Sequence, residues 1–156
     1  MVREIYESEL SELLELYLHL HETSVPQMTE HLKSTWQTIV KNKNYHIIVK
    51  EADGKIVASC VCLIIPNLTR GVRPYALIEN VVTHAEHRGH GYATECLDFA
   101  KEIAKRENCY KMMLLTSSKE DSVLNFYKNA GYNCDDKTAF IQWLCKAQAR
   151  QLWPMG

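Results

Sequence analysis

The stretch from Val81 to Thr94 (VVTHAEHRGHGYAT) holds the residue types best suited to binding an anion. It runs from a β-branched strand through a turn containing Gly89 and Gly91 into a helix start. Glycine lets backbone amides approach a ligand closely. The first turn of a helix offers unpaired N–H groups and a partial positive charge, which favour phosphate. Arg88 adds a charge-assisted donor just upstream. Thr94 stands where a dinucleotide fingerprint needs its third glycine, and no G-x-x-x-x-G-K-[ST] run occurs. The stretch therefore reads as a phosphate site of another kind, or as a strand-to-helix turn whose glycines serve geometry alone.

Acid–base groups lie close to it. Glu79 interrupts an otherwise apolar strand, and a carboxylate there needs a partner or a task. On a regular strand Glu79 and Val81, two residues apart, share one face. Asn80 falls on the other face and reads as a structural hydrogen-bonder. His84, His87 and His90 sit on the turn, where histidines are usually solvated. The six cysteines form no C-x-x-C pair and the seven histidines no H-x-x-x-H pair, so the chain reads as free thiols without a metal site.

Elements must carry these groups. Residues 2–6 read as a short edge strand. Ser8 can cap a helix with Leu10, Leu13, Leu14, Tyr17 and Leu18 on one face. A second helix covers 28–42, with Met28, Leu32, Trp36, Ile39 and Val40 apolar. Strand 45–51 and strand 56–65 flank Asp53-Gly54, the signal of a tight hairpin. After the loop 66–74 comes strand 75–83, then a helix over 91–106 with Ala93, Cys96, Leu97, Ala100, Ile103 and Ala104 on one stripe. Residues 110–116 read as a buried strand. A capping box, Ser117 to Glu120 or Ser118 to Asp121, opens a helix that stops at Gly131. Alternation over 138–144 predicts a final strand. The order is β-α-α-β-β-β-α-β-α-β: an α/β (α+β) domain with a mixed, mostly antiparallel central sheet flanked by helices.

Length and composition agree with one domain over residues 1–156, its core at about 2–145 and a tail at 146–156. The chain is 46% hydrophobic and 24% charged, with a formal net charge of −1. This balance excludes collagenous and disordered classes and lacks the basic footprint of a nucleic-acid binder. No apolar run approaches the roughly 20 residues of a membrane span. The acidic N-terminus is unlike a leader peptide, so the expected location is cytoplasmic.

Two motifs together resemble one family. Arg88-x-x-Gly91-x-Ala93 is similar to the acetyl-CoA loop of the GNAT superfamily of N-acetyltransferases, [Q/R]-x-x-G-x-[G/A]. About 30 residues on, Phe126-Tyr127-x-x-x-Gly131-Tyr132 resembles that family's second signature. The order of elements matches as well, across roughly residues 2–145.

The resemblance implies acetyl-CoA as co-substrate and direct transfer of its acetyl group to a primary amine in a ternary complex. It implies that Arg88, Gly89, Gly91 and Ala93, with His90, Tyr92 and Thr94, hold the pyrophosphate. The backbone amides of Val81 and Val82 then polarise the thioester carbonyl. Tyr127 takes the position of a general acid, and Asn125 is a candidate cofactor contact whose simpler reading is a solvated helix residue. Glu79 is the candidate general base. Some protein-acetylating members carry the base two residues earlier, which is Leu77 here, so a water chain is the alternative. The loop 67–75, with Arg70 and Arg73, either walls the acceptor site or is a solvated hairpin. The near-neutral charge favours a small-molecule acceptor. The alternatives are a protein lysine or N-terminal acetyltransferase, and a non-catalytic acyl-CoA-binding or regulatory module. A homodimer is expected from the family alone.

Overall fold

The fold was taken from a computed structural model, which describes residues 1–144. The chain divides into two compact units, Met1–Lys119 and one that begins at Glu120.

The first unit is built on one five-stranded sheet in the order β1-β2-β3-β4-β5. Its strands are β1 (Val2–Glu4), β2 (Tyr45–Ala52), β3 (Lys55–Ile65), β4 (Tyr75–Thr83) and β5 (Met112–Leu114). The first three pairings are antiparallel and β4 with β5 is parallel, so the sheet is mixed as its residues predict. Asp53 and Gly54 close the β2–β3 hairpin at φ 51° and 74°, both left-handed, the conformation that a two-residue turn with the sheet's own twist requires.

Helices cover both faces. Helix α1 (Leu10–Tyr17) and helix α2 (Glu30–Lys41) lie on one face. Leu13, Leu16 and Trp36 there pack with Ile47, Val49, Val61 and Val82 from the strands. Helix α3 (Tyr92–Arg106) packs on β2, β3 and β4 and buries Cys96, Leu97, Ala100, Ile103 and Ala104, the predicted stripe. Ile48, Cys60, Cys62 and Ile78 are fully buried. Burial pushes the thiols of Cys62 and Cys96 up to about 12 and that of Cys60 higher still.

Some boundaries differ from expectation. Ser8 does not start α1. A 3₁₀ turn over Glu7–Glu9 precedes it, and the Glu9 carboxylate accepts from the Tyr6 N–H at 2.8 Å. Arg3 grips that carboxylate with both terminal nitrogens, at 2.7 and 2.8 Å, which a Ser8 hydroxyl cannot match. Helix α2 starts at Glu30, where Thr29 accepts from the Leu32 N–H. Strand β5 spans three residues instead of seven and is half-buried, because its pairing with β4 ends at Ile78.

In the second unit, helix α4 (Asp121–Asn129) takes Glu120 as its N-cap, with no side-chain cap hydrogen bond from that residue, so it starts later than a cap at Ser117 or Ser118 predicts. Its end is as read. Gly131 takes φ 93°, the Gly131 N–H donates to Lys128, and the Tyr132 N–H donates to Tyr127. The final strand predicted over 138–144 is absent: these residues join no ladder, and Phe140 and Leu144 are more than 90% exposed. Alternation prepares a face for burial, but a strand exists only with a paired neighbour. Residues 145–156, with Cys145 and the tail, lie outside the described residues.

Candidate active site

The anion loop begins where β4 ends. The His84 N–H donates to the carbonyl of Val57 at 2.9 Å, which moors the loop to β3. A 3₁₀ turn over Ala85–His87 follows. The imidazole of His84 accepts the Glu86 N–H through Nδ1 at 3.3 Å, so this residue caps the turn instead of being merely solvated. Gly89 and Gly91 then take φ 78° and 79°. A Cβ at either would meet nothing within 4 Å, so the backbone angle, not crowding, is what demands glycine.

Gly91 caps α3, and the first bond inside that helix runs from the Glu95 N–H to Gly91 at 3.0 Å. The N–H groups of Tyr92, Ala93 and Thr94 precede that first turn's ladder and point past the loop. The Arg88 Nε donates to the Thr83 carbonyl at 3.3 Å. The Nδ1 of His90 lies 2.9 Å from the Arg88 carbonyl, and its ring stacks on Tyr92 at 5.6 Å. Two left-handed glycines, three helix-start amides and an arginine thus share one short loop, which is the donor set a pyrophosphate needs.

The sheet opens beside this loop. Strand β5 pairs with β4 only at Ala76, Leu77 and Ile78. From Glu79 to Thr83, β4 has no strand partner on that side among the described residues. On its other side β4 carries a bulge. Val61 pairs with Glu79 and Ser59 with Val82, so one residue of β3, Cys60, faces two of β4, Asn80 and Val81. Asn80 supplies the extra residue at φ 50°. The bulge corrects one expectation: Glu79 shares its face with Val82, not with Val81. Val82 belongs to the same buried cluster as Val61, Leu13 and Trp36.

Glu79 is exposed, on the α1 and α2 face, and acts on the Tyr45 phenol. Burial first, and the Glu79 charge second, push Tyr45 above the ordinary phenol value. The phenol of Tyr17 is pushed up to about 12, chiefly by burial and next by Tyr45, while contacts with Asn80 and Ser59 act the other way. His19 stands with its ring 4.2 Å from that of His84, and partial burial together with His84 and Arg88 lowers its pKa. Across the loop, Lys50 of β2 donates to Glu95 at 2.6 Å and sits 4.9 Å above the Tyr92 ring.

Sequence reasoning missed Tyr17, Tyr45, Ser59, His19 and Lys50, which reach the site only through tertiary packing. The serine alone gave a signal, a hydroxyl inside an apolar strand. Arg73 is placed elsewhere: it donates to the carbonyls of Asn108 and Cys109, both at 3.1 Å, at the end of α3. An open groove of about 620 Å³ lined by Ile64, Pro66, Leu68 and Val72 lies at the far end of β3 from the loop. Among the described residues, no group of three His, Cys, Asp or Glu is arranged to hold a metal ion, and no helix is long and apolar enough to cross a membrane.

In the second unit, Tyr127 and Phe126 are half-buried on α4, their rings 4.9 Å apart, and Tyr127 meets the Tyr132 ring at 6.3 Å. Asn125 is exposed.

Comparison with known proteins gives a consistent result. The model of the Acetyltransferase (GNAT) family matches residues 3–132. The chain is 30% identical over 138 residues to glucosamine 6-phosphate N-acetyltransferase of Trypanosoma brucei brucei, covering 87% of this chain and 90% of that protein. A solved structure from Agrobacterium tumefaciens str. C58, assigned as an acetyltransferase, superposes with a TM-score of 0.85 at 38% identity, over 92% of this chain and 99% of that one. An aminoglycoside N-acetyltransferase solved in complex with CoA shares the fold, at a TM-score of 0.72 and 15% identity, over 93% of this chain and all of that one.

Proposed function

Because the chain belongs to the acetyltransferase (GNAT) family, we propose that it moves an acetyl group from acetyl-CoA directly to a primary amine of a small molecule. The observation that carries this reading is the parting of β4 from β5 after Ile78, immediately beside a loop with the donor set for a pyrophosphate. The relatives named above support an amine acceptor. One acts on an amino sugar phosphate and another on aminoglycosides.

The residues present fit the co-substrate. Arg88 and the amides from Gly89 to Thr94 hold the pyrophosphate, and the open edge of β4 takes the pantetheine arm. Bound acetyl-CoA supplies an acetyl group activated as its thioester. An alkylamine, with a pKa of about 10.4, arrives protonated at neutral pH. Glu79 takes that proton, directly or through water, which frees the nitrogen lone pair for attack. The Val81 and Val82 amides donate to the carbonyl oxygen as negative charge gathers there. The carbon–nitrogen bond forms and the carbon–sulfur bond breaks. Tyr127 would give a proton to the departing sulfur and recover one, through water, from the newly bonded nitrogen, and Asn125 would contact the cofactor. This reading treats the whole chain as one catalytic domain. The buried, unpaired thiols of Cys60, Cys62 and Cys96 suit a reducing, cytoplasmic setting.

A calorimetric titration with acetyl-CoA, set beside ATP and NAD, tests the cofactor. Thiol release with a panel of amines, including glucosamine 6-phosphate and a free peptide N-terminus, tests the acceptor class. Acetyl-CoA binding without release from any amine would favour a non-catalytic acyl-CoA-binding module.

A further inference from the structure

We infer that His19, which neither motif contains, is a further holder of the cofactor's phosphates: set against His84 where β4 runs into the anion loop, its imidazole takes up a proton when those phosphates bind. The inference rests on the reading of that loop as the phosphate site of acetyl-CoA.

The turn after α1 brings His19 to the loop. There its N–H donates to the Leu16 carbonyl at 3.0 Å. Its half-buried ring meets that of His84, the first residue after β4, with centroids 4.2 Å apart and planes at 56°. The row of rings continues along the loop. His87 lies 5.5 Å beyond His84, and Tyr92, the first residue of α3, lies 6.3 Å beyond His87. The Tyr92 ring carries the Lys50 ammonium, which is paired with Glu95. Arg88 folds back so that its Nε donates to the carbonyl of Thr83, the residue before His84. Imidazoles and a guanidinium are thus gathered beside the glycines and helix-start amides, an arrangement that an anion would complete.

Of the paired rings, His19 is the one left to titrate. His84 is committed: its Nδ1 accepts the Glu86 N–H at 3.3 Å, which places the proton of the neutral ring on Nε2. A second proton on His84 would break the cap of the 3₁₀ turn. Burial first, and then His84 and Arg88, hold the His19 pKa below the ordinary histidine value, while the Glu86 carboxylate acts the other way. The ring is therefore neutral in the free protein at neutral pH. Phosphate oxygens on the loop would offset the Arg88 charge and favour the imidazolium form of His19. Its pKa is then low in the free protein and higher in the complex. Binding takes up a proton, and affinity rises as pH falls from the higher value to the lower.

Calorimetric titration with acetyl-CoA at pH 8 and pH 6.5, each in two buffers of different ionisation enthalpy, reads affinity and proton uptake together. His19→Phe keeps a ring against His84, and His19→Gln keeps a polar side chain. Wild type should bind about threefold tighter than either variant at pH 6.5 and equally at pH 8, and it alone should take up the extra fraction of a proton. The comparison with the variants cancels the titration of the cofactor itself. The same titrations with 3′-dephospho acetyl-CoA identify the phosphate. A difference that survives belongs to the pyrophosphate, and one that vanishes belongs to the 3′-phosphate.

Equal affinity and equal proton uptake in wild type and His19→Phe at pH 6.5 would overturn the inference. So would a variant that raises the KM for amine with proton uptake unchanged, because the ring would then face the acceptor. If the wild type binds no acetyl-CoA, the proposed function fails by itself. The ring-proton resonances of His19, followed against pH with and without inorganic pyrophosphate, then decide. A His19 pKa that pyrophosphate raises in the wild type but not in Gly91→Asp keeps His19 as a phosphate holder, and an unmoved one overturns it.

Discussion

Lys50 reaches from the middle of the sheet to the first turn of α3, where its ammonium meets the Glu95 carboxylate at 2.6 Å. Glu95 carries a negative charge one turn from the amides proposed to hold phosphate, and Lys50 offsets it. The Lys50 pKa is raised, with the Glu95 hydrogen bond as the first cause. Lys50→Met should weaken acetyl-CoA binding by about 2- to 5-fold, the size of a partly screened charge interaction. Adding Glu95→Gln should restore it. The effect should shrink in high salt, and titration calorimetry at two ionic strengths reads both.

Gly91 is the strictest position of the loop, since it caps α3 at φ 79°. Gly91→Ala meets no steric clash, so its cost is the backbone angle alone, about 1–2 kcal/mol. The expected result is a folded protein with roughly tenfold weaker acetyl-CoA binding. Gly91→Asp adds a negative charge at the anion site and should abolish detectable binding in the same titration.

Glu79→Gln keeps the shape and removes the proposed base. Turnover should fall about 100-fold, the lower range for a positioned proton acceptor. Tyr127→Phe removes the proposed acid and should lower kcat by a comparable factor. Neither change should alter acetyl-CoA affinity by more than about twofold, because neither residue belongs to the phosphate loop. Steady-state rates beside calorimetric affinities separate the two effects. Full turnover in Glu79→Gln would assign the proton transfer to water.

Arg3 joins three elements, gripping Glu9 at 2.7 Å and Glu51 at 2.9 Å with only 13% of its side chain exposed. Arg3→Met would strand two carboxylates and should destabilise the fold by about 2 kcal/mol, or some 4–8 °C in Tm. Arg3 holds the Glu9 pKa below the usual carboxylate value. A depressed pKa contributes stability above the unfolded value, about 4.3, and that share disappears as pH falls through the folded value. The gap in Tm between wild type and Arg3→Met should therefore be full at pH 7 and narrow in acid.

Much of the arrangement was legible in the residues themselves. Asp53-Gly54 announces its hairpin because so few residues accept two left-handed angles in succession. The stripe from Ala93 to Ala104 announces α3, and Gly89 with Gly91 announces the loop. The bulge at Asn80 was not legible, because the two-residue alternation assumes an unbroken ladder. Its only written cue is an asparagine, which elsewhere in strands is simply polar. Hence the misplaced partnership of Glu79 with Val81. The strand predicted at 138–144 failed for a related reason: pattern describes a face, not a neighbour. Tyr17, Tyr45 and Ser59 lie far apart along the chain, and only helix packing on the sheet brings them together.

The pairing of β4 with β5 is a short seam, three residue pairs like that of β1 with β2, against the eight that join β2 to β3. Tension drawn across the sheet from β1 toward β5 would load these two short seams before the longer ones between them. An acyl carrier lying along the open edge of β4 would add rungs to the seam with β5. The force needed to part β4 from β5 should then rise when acetyl-CoA is present, which would make the co-substrate a mechanical fastener as well as a reagent.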